Sequence, residues 1–191
     1  IAGDSTLQLR NANSVIIYIS AATDFRQVAF KQKTEALLQA AISRPYSEEL
    51  ASHVKAYQQL FKHASLSIDD GNQHAAALPT DERLAAFSKD PSDNGLPVLF
   101  FQYGRYLLIS STRLGLLPPN LQGLWANTVQ TPWNGDYHLD INIEMNHWPL
   151  EVTNLPMLNQ PFETLLKRLV MPGEKNAKDY YNAGGWLAYA I

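Results

Sequence analysis

The sequence contains no cysteine, which removes disulfides and thiolate metal centres and leaves the redox compartment open, since a bacterial periplasm and a cytosol both fit. It has no apolar run approaching the ~20 residues of a membrane-spanning helix; the strongest, near residues 96–101, is far shorter. No basic segment followed by an apolar one stands at the start, and no Lys/Arg cluster occurs anywhere. With a formal charge of −3, the chain lacks the electrostatic footprint of a nucleic-acid or anionic-membrane binder, so neither nucleic acid nor membrane insertion is expected. Fixed-period repeats and low-complexity tracts are absent too. The 191 residues, 46% hydrophobic and 17% charged, have a globular composition and the length of an ordinary domain. The first residue is Ile1 rather than Met, so a processed product or an excised piece of a longer chain is the expectation.

What the chain does have is one stretch dense in chemistry, running from Trp133 to Trp148. Its even positions are polar (Asp136, His138, Asp140, Asn142, Glu144, Asn146), and Leu139, Ile141, Ile143 and Met145 alternate with them. A period of two predicts an extended segment with carboxylates, carboxamides and an imidazole on one face and apolar anchors on the other. Asp and Asn are poor strand formers, and tryptophans flank the run, so a ligand-facing segment fits better than a solvated strand. Polar groups beside tryptophan suit a sugar, whose ring stacks on aromatic faces and whose hydroxyls need fixed donors and acceptors. Asp136, His138 and Asp140 also form a compact oxygen and nitrogen set, which keeps a metal enzyme open as a rival.

Three motifs carry a resemblance. The run Gln102-Tyr103-Gly104-Arg105-Tyr106-Leu107-Leu108-Ile109-Ser110-Ser111 comes first, then Pro119-Asn120-Leu121-Gln122-Gly123-Leu124-Trp125. Asp140-Ile141-Asn142 with Met145-Asn146-His147-Trp148-Pro149 completes them. In this order and spacing the sequence resembles glycoside hydrolase family 95, which contains the inverting 1,2-α-L-fucosidases; weaker similarity extends from about Leu7 to Trp186. The resemblance implies a mainly α chain. Residues 96–191 would be the N-terminal part of an (α/α)6 toroid of paired helices. A helical linker over residues 23–95 would precede it, and residues 1–22 would be a short β segment from a truncated β-sandwich. It implies release of α-linked L-fucose from a fucosylated oligosaccharide or glycan, no cofactor, no metal, and a secreted or periplasmic parent. The acid and base would lie in later segments, so the chain alone is expected to be inactive.

Within the chain, Asp140 and Asn142 fall on the family's Asn-x-Asn pair, whose carboxamides hold the attacking water. Asp140 departs from the usual Asn, and a carboxylate there could bind the water more strongly, accept its proton, or raise the pKa of a neighbouring base. By the same resemblance His138 lies beside the sugar C5 substituent, where His goes with L-fucose and Thr with L-galactose. His138, Trp133, Asn146, Gln122 and Trp125 are the expected sugar-binding groups, and Glu144 is expected to orient or support rather than catalyse. An α-L-galactosidase of the same family and a non-catalytic carbohydrate-binding helical module are the alternatives.

Along the rest of the chain, β-branched runs predict strands over residues 7–10, 15–19 and 65–68. Helical periodicity predicts helices over 34–42, 47–61 and 80–87. A turn-forming run at 90–95 reads as the clearest boundary. A helix over 97–113 is apolar nearly all round and should be buried, with Gly104 marking a close helix neighbour and Arg105 needing a carboxylate. The loop over 116–135 is long enough to be functional, and Asn120, Gln122, Trp125 and Trp133 equip it to shape a sugar pocket. Helical structure is predicted to resume between 142 and 151, interrupted at Pro149, and again over 159–172 and 174–182. His53 and His63 read as solvated helix residues.

Overall fold

The computed structural model describes residues 6–25, 28–69 and 73–188, with the side chains of residues 73 and 74 left aside. The chain is mainly helical, and no strand forms among the described residues. Residues 7–19 and 65–68 are irregular and largely exposed rather than the predicted strands. The physical reason is that β-branched propensity needs a partner strand, and a lone hairpin is marginal in water. The run Asp69-Asp70-Gly71-Asn72 has the makeup of a turn, and it falls mostly outside the described residues.

The chain divides into two compact units, residues 1–55 and 56–191. The first contains α1 (Phe30–Ile42) and the start of α2 (Tyr46–Phe61). Helix α1 begins four residues before its predicted start and buries none of its side chains, and Arg44 pairs with Glu49 at 3.0 Å.

The second unit holds the end of α2, the short α3 (Gln73–Ala76), α4 (Thr80–Phe87), α5 (Gly95–Ser111), α6 (Asn142–His147), α7 (Pro149–Val152) and α8 (Gln160–Tyr181). Leu108 and Ile109 of α5 meet Leu150, Leu155 and Leu158, with Tyr57, Leu60 and Phe61 packed against them. Burying such side chains contributes roughly 1.5–3 kcal/mol apiece, which makes this cluster the anchor of the α6–α7 region. His63 is exposed, as expected, and it also engages the turn after α7: its Nδ1 lies 3.0 Å from the Asn154 carbonyl, and Asn154 Nδ2 donates back to the His63 carbonyl at 3.2 Å.

Helix α5 departs from its predicted burial, since Leu99, Phe100, Tyr103 and Tyr106 are exposed. Gly104 has no neighbour within 4 Å of where a Cβ would stand, so the predicted close helix is absent there. Arg105 is buried as expected, but its partners are the Ala64 and Leu60 carbonyls and the Gln102 carboxamide, with the Phe61 and Phe101 rings over its guanidinium. Carbonyl dipoles and ring faces thus replace the predicted carboxylate.

The predicted break at Pro172-Gly173 does not occur. One helix runs through from Gln160 to Tyr181, because Pro161, Leu165, Gly173 and Ala177 share a buried face that packing holds in register despite the lost N–H. At Gly173 the chain returning through residues 186–187 lies so close that a Cβ would meet Leu187 backbone atoms at 3.1 Å.

The boundary run at 90–95 is a turn that leads into α5. Asp93 is buried, receives two hydrogen bonds from Arg83 at 2.5 and 2.8 Å, and accepts the Leu96 N–H at 3.2 Å. The Arg83 hydrogen bond holds the Asp93 carboxyl below its ordinary value. A depressed folded-state pKa gives stability that is present above the unfolded value and lost as pH falls through the folded one. Asp93→Asn should therefore lower the melting temperature by a constant margin between pH 5 and 8, and the margin should shrink below about pH 4. A thermal-melt series of both proteins from pH 2.5 to 8 checks this; a margin independent of pH would remove the ion pair from the stability of this joint.

Candidate functional site

The polar stretch is not extended throughout. Trp133, Asn134 and Gly135 all have positive φ (49°, 56° and 68°), forming a left-handed turn after Pro132. An extended passage follows through Asp136, and the chain bends at residues 139–141 and enters α6 at Asn142. The Ile143 N–H donates to the His138 carbonyl at 3.1 Å, closing a turn that carries Asp140 between them. The predicted two-faced alternation fails for this reason. In α6 the repeat becomes helical, so Ile143 and His147 share the buried face while Ile141 and Met145 are exposed. The Asn134-Gly135 pair is a turn signal visible in the sequence, and it outweighs the weaker strand pattern.

The loop over 118–123 is bonded to this segment along its length. Tyr137 donates its hydroxyl to the Pro118 carbonyl at 2.9 Å, and the Leu121 N–H donates to Asp136 O at 3.2 Å. Gln122 Nε2 donates to Pro132 O at 2.9 Å, and Asn146 Nδ2 on α6 donates to Asn120 O at 3.3 Å. Glycine suits position 135 because its φ of 68° strains other residues, and a Cβ there would also come to 3.0 Å from Asn120 Nδ2 and 3.4 Å from Gln122 Oε1.

Several polar atoms of the region are buried without a hydrogen-bond partner: His138 Nε2, Glu144 Oε2, Asn120 Oδ1 and Gln122 Oε1. Such atoms are uncommon in folded proteins and mark places where a ligand or water completes the structure. His147 Nε2 is buried without a partner too, but its other ring nitrogen is held. Its Nδ1 lies 2.7 Å from the Ile143 carbonyl, which requires the proton on Nδ1, and its ring stacks on Phe162 with centroids 4.7 Å apart. Burial pushes its pKa below the ordinary value, offset in part by the Ile143 hydrogen bond and the Glu144 charge, so the ring is neutral at pH 7.

A cavity of about 810 Å³ lies between α5 and α6–α7, bounded by Phe101 and Arg105 on one side and Met145 and Trp148 on the other. Of the expected site residues, Gln122, Trp125 and Asn146 line it. Trp125 packs against Tyr106 at 5.8 Å between centroids. His138, Asp140 and Asn142 are grouped on the neighbouring turn, with His138 and Asn142 half-buried and Asp140 exposed. Trp133 stands at the exposed tip and lines neither this cavity nor a second of about 280 Å³ beside Asn120 and Tyr137. Asp136, His138 and Asp140 do not converge as a ligand set; among the described residues no three His, Asp or Glu side chains group in that way. No helix among them is long and apolar enough to cross a membrane.

Residues 45–191, which carry these aromatic walls, carboxamides and the polar turn, match the Glycosyl hydrolase family 95 catalytic domain. The chain belongs to glycoside hydrolase family 95. It is 43% identical over 151 residues to "Probable alpha-fucosidase A" of Aspergillus niger, covering 78% of this chain and 19% of that protein. It is 40% identical over 149 residues to "Alpha-L-fucosidase 2" of Arabidopsis thaliana, covering 76% and 18%. A third relative, "Probable alpha-fucosidase A" of Aspergillus oryzae, is 32% identical over 203 residues, covering 98% and 28%. The chain thus spans about a fifth of the length of the first two relatives.

Proposed function

We propose that the chain carries the water-positioning and sugar-binding segment of an inverting glycosidase that releases α-linked L-fucose from glycans. In this reading residues 96–191 begin an (α/α)6 toroid, 23–95 link to it, and 1–22 belong to a β-sandwich. The observation that carries the site assignment is His138 Nε2, buried without a partner two residues before Asp140. His147 Nε2 is buried without a partner as well, and what sets His138 apart is its place on the turn that carries Asp140 and leads into Asn142.

Inversion needs an acid on the leaving oxygen and a water activated on the opposite face of the ring. Asp140 on the turn and Asn142 two residues on, at the start of α6, hold that water, Asn142 by its carboxamide and Asp140 by a carboxylate that accepts its hydrogen bond. The water oxygen bonds to the anomeric carbon as the bond to the leaving glycan oxygen breaks. The acid protonates that oxygen, and the base takes the proton of the water. His138, Gln122, Trp125 and Trp133 face the sugar and its glycan. The names of the three relatives support L-fucose as the sugar.

The full-length polypeptide is tested with an α-1,2-fucosyl oligosaccharide, following the first-formed anomer by proton NMR. β-L-Fucose appearing first is the expected result. The α anomer appearing first removes inversion, and no release from any α-L-fucoside removes the substrate assignment.

A further inference from the structure

We propose that Asn146 is a positioning residue that locks the water-holding turn to the 118–123 loop, rather than a contact to the sugar. This rests on the reading of Asp140 and Asn142 as the water-holding pair. Asn142 and Asn146 are one helical turn apart, so they share a face of α6, and fixing one fixes the direction of the other. One of the two N–H donors of the Asn146 carboxamide is already committed, at 3.3 Å, to the main-chain carbonyl of Asn120.

The same loop grips the chain on the other side of the turn. Leu121 N–H bonds Asp136 O, Tyr137 bonds Pro118 O, and the Asn120 and Gln122 carboxamides lie against Gly135. The turn from His138 to Ile143 is therefore held at both ends by one loop, through residues 135–137 before it and Asn146 after it. Two costs are borne at this spot: the buried, unpartnered oxygens of Asn120 and Gln122, and the left-handed backbone of Trp133 and Asn134. Chains retain such costs where a geometry is held for a task.

Asn146→Asp separates the two roles. The substitution keeps size and acceptor oxygens but sets an oxygen against the Asn120 carbonyl in place of a donor, so an acceptor contact to sugar survives and the lock does not. Asn146→Ala is the second variant, in which neither partner of the lock repels the other. Turnover, KM, melting temperature and amide exchange over residues 118–123 are measured in the full-length polypeptide. For both variants kcat should fall about tenfold to a hundredfold, with KM within about threefold, as expected of a misplaced reacting group. The melting temperature should stay within a few degrees, and the Leu121 amide, whose acceptor is Asp136 O, should exchange faster. A raised KM with unchanged kcat and exchange makes Asn146 a sugar contact and overturns the proposal. So does a large drop in melting temperature with turnover unchanged. Exchange needs no substrate: unaltered exchange sinks the lock whatever the activity, while wild-type protein that releases no L-fucose sinks only the substrate reading.

Discussion

Alanine at position 142 should lower the turnover of the full-length polypeptide by about 10²-fold or more while leaving substrate affinity nearly unchanged. The magnitude follows from the role: a preorganised polar group that holds a reacting water acts mainly in the transition state, and ~2.7 kcal/mol of lost stabilisation is a factor of about 10² in rate. The local structure makes the test clean. Asn142 is the first residue of α6, and the helix is started by backbone bonds, Ile143 N–H to His138 O and Met145 N–H to Ile141 O, that do not involve its side chain. Alanine is the best helix former, so the turn should keep its shape and the melting temperature should hold. Turnover and KM on an α-L-fucoside, beside a thermal melt, decide it. An unchanged turnover number detaches Asn142 from the mechanism, and a fall in turnover matched by a fall in melting temperature reassigns it to structure.

Helix positions in this chain were legible wherever an amphipathic pattern agreed with local signals. α4 matches its predicted span, and α2 and α5 lie within about two residues of theirs, because helix starts at Pro45, Pro79 and the turn-rich 90–95 run are written in short-range chemistry. What failed depended on partners distant in sequence. Gly104 predicts a close helix only if something packs there, and Arg105 predicts a carboxylate only if carbonyls and aromatic rings do not take its place. Pro172 stops a helix unless a continuous buried face holds it, as Leu165, Gly173 and Ala177 do. The site divides in the same way. The family resemblance singled out His138, Asp140 and Asn142, which lie together on one turn, and the makeup of the loop singled out Gln122 and Trp125, which line one cavity with Asn146. The joint between turn and cavity was illegible because its bonds run through main-chain atoms of Pro118, Asn120, Pro132 and Asp136. A carbonyl oxygen looks alike in every residue.

Threonine at position 138 should move the ratio of specificity constants from α-L-fucosides toward α-L-galactosides by one to two decades. The two sugars differ at C5, where L-fucose has a methyl and L-galactose a hydroxymethyl. An imidazole edge packs against the methyl but crowds the larger group, whereas Thr leaves room and offers a hydroxyl partner. A small apolar group gained or lost in a pocket is worth about 1–3 kcal/mol, which sets the one to two decades. The competing possibility is that His138 holds the turn together. Its bond to Ile143, however, is made by the backbone carbonyl and survives any substitution, while its buried Nε2 bonds nothing. Removing the ring therefore breaks no hydrogen bond of the ring nitrogen Nε2, and the melting temperature should fall by little more than the lost ring packing costs. Steady-state kinetics of His138→Thr on matched aryl α-L-fucoside and α-L-galactoside, beside a thermal melt, separates the two. Equal loss on both sugars with a clearly lowered melting temperature makes His138 a structural residue, and the ratio shifting at near-constant stability places it beside C5.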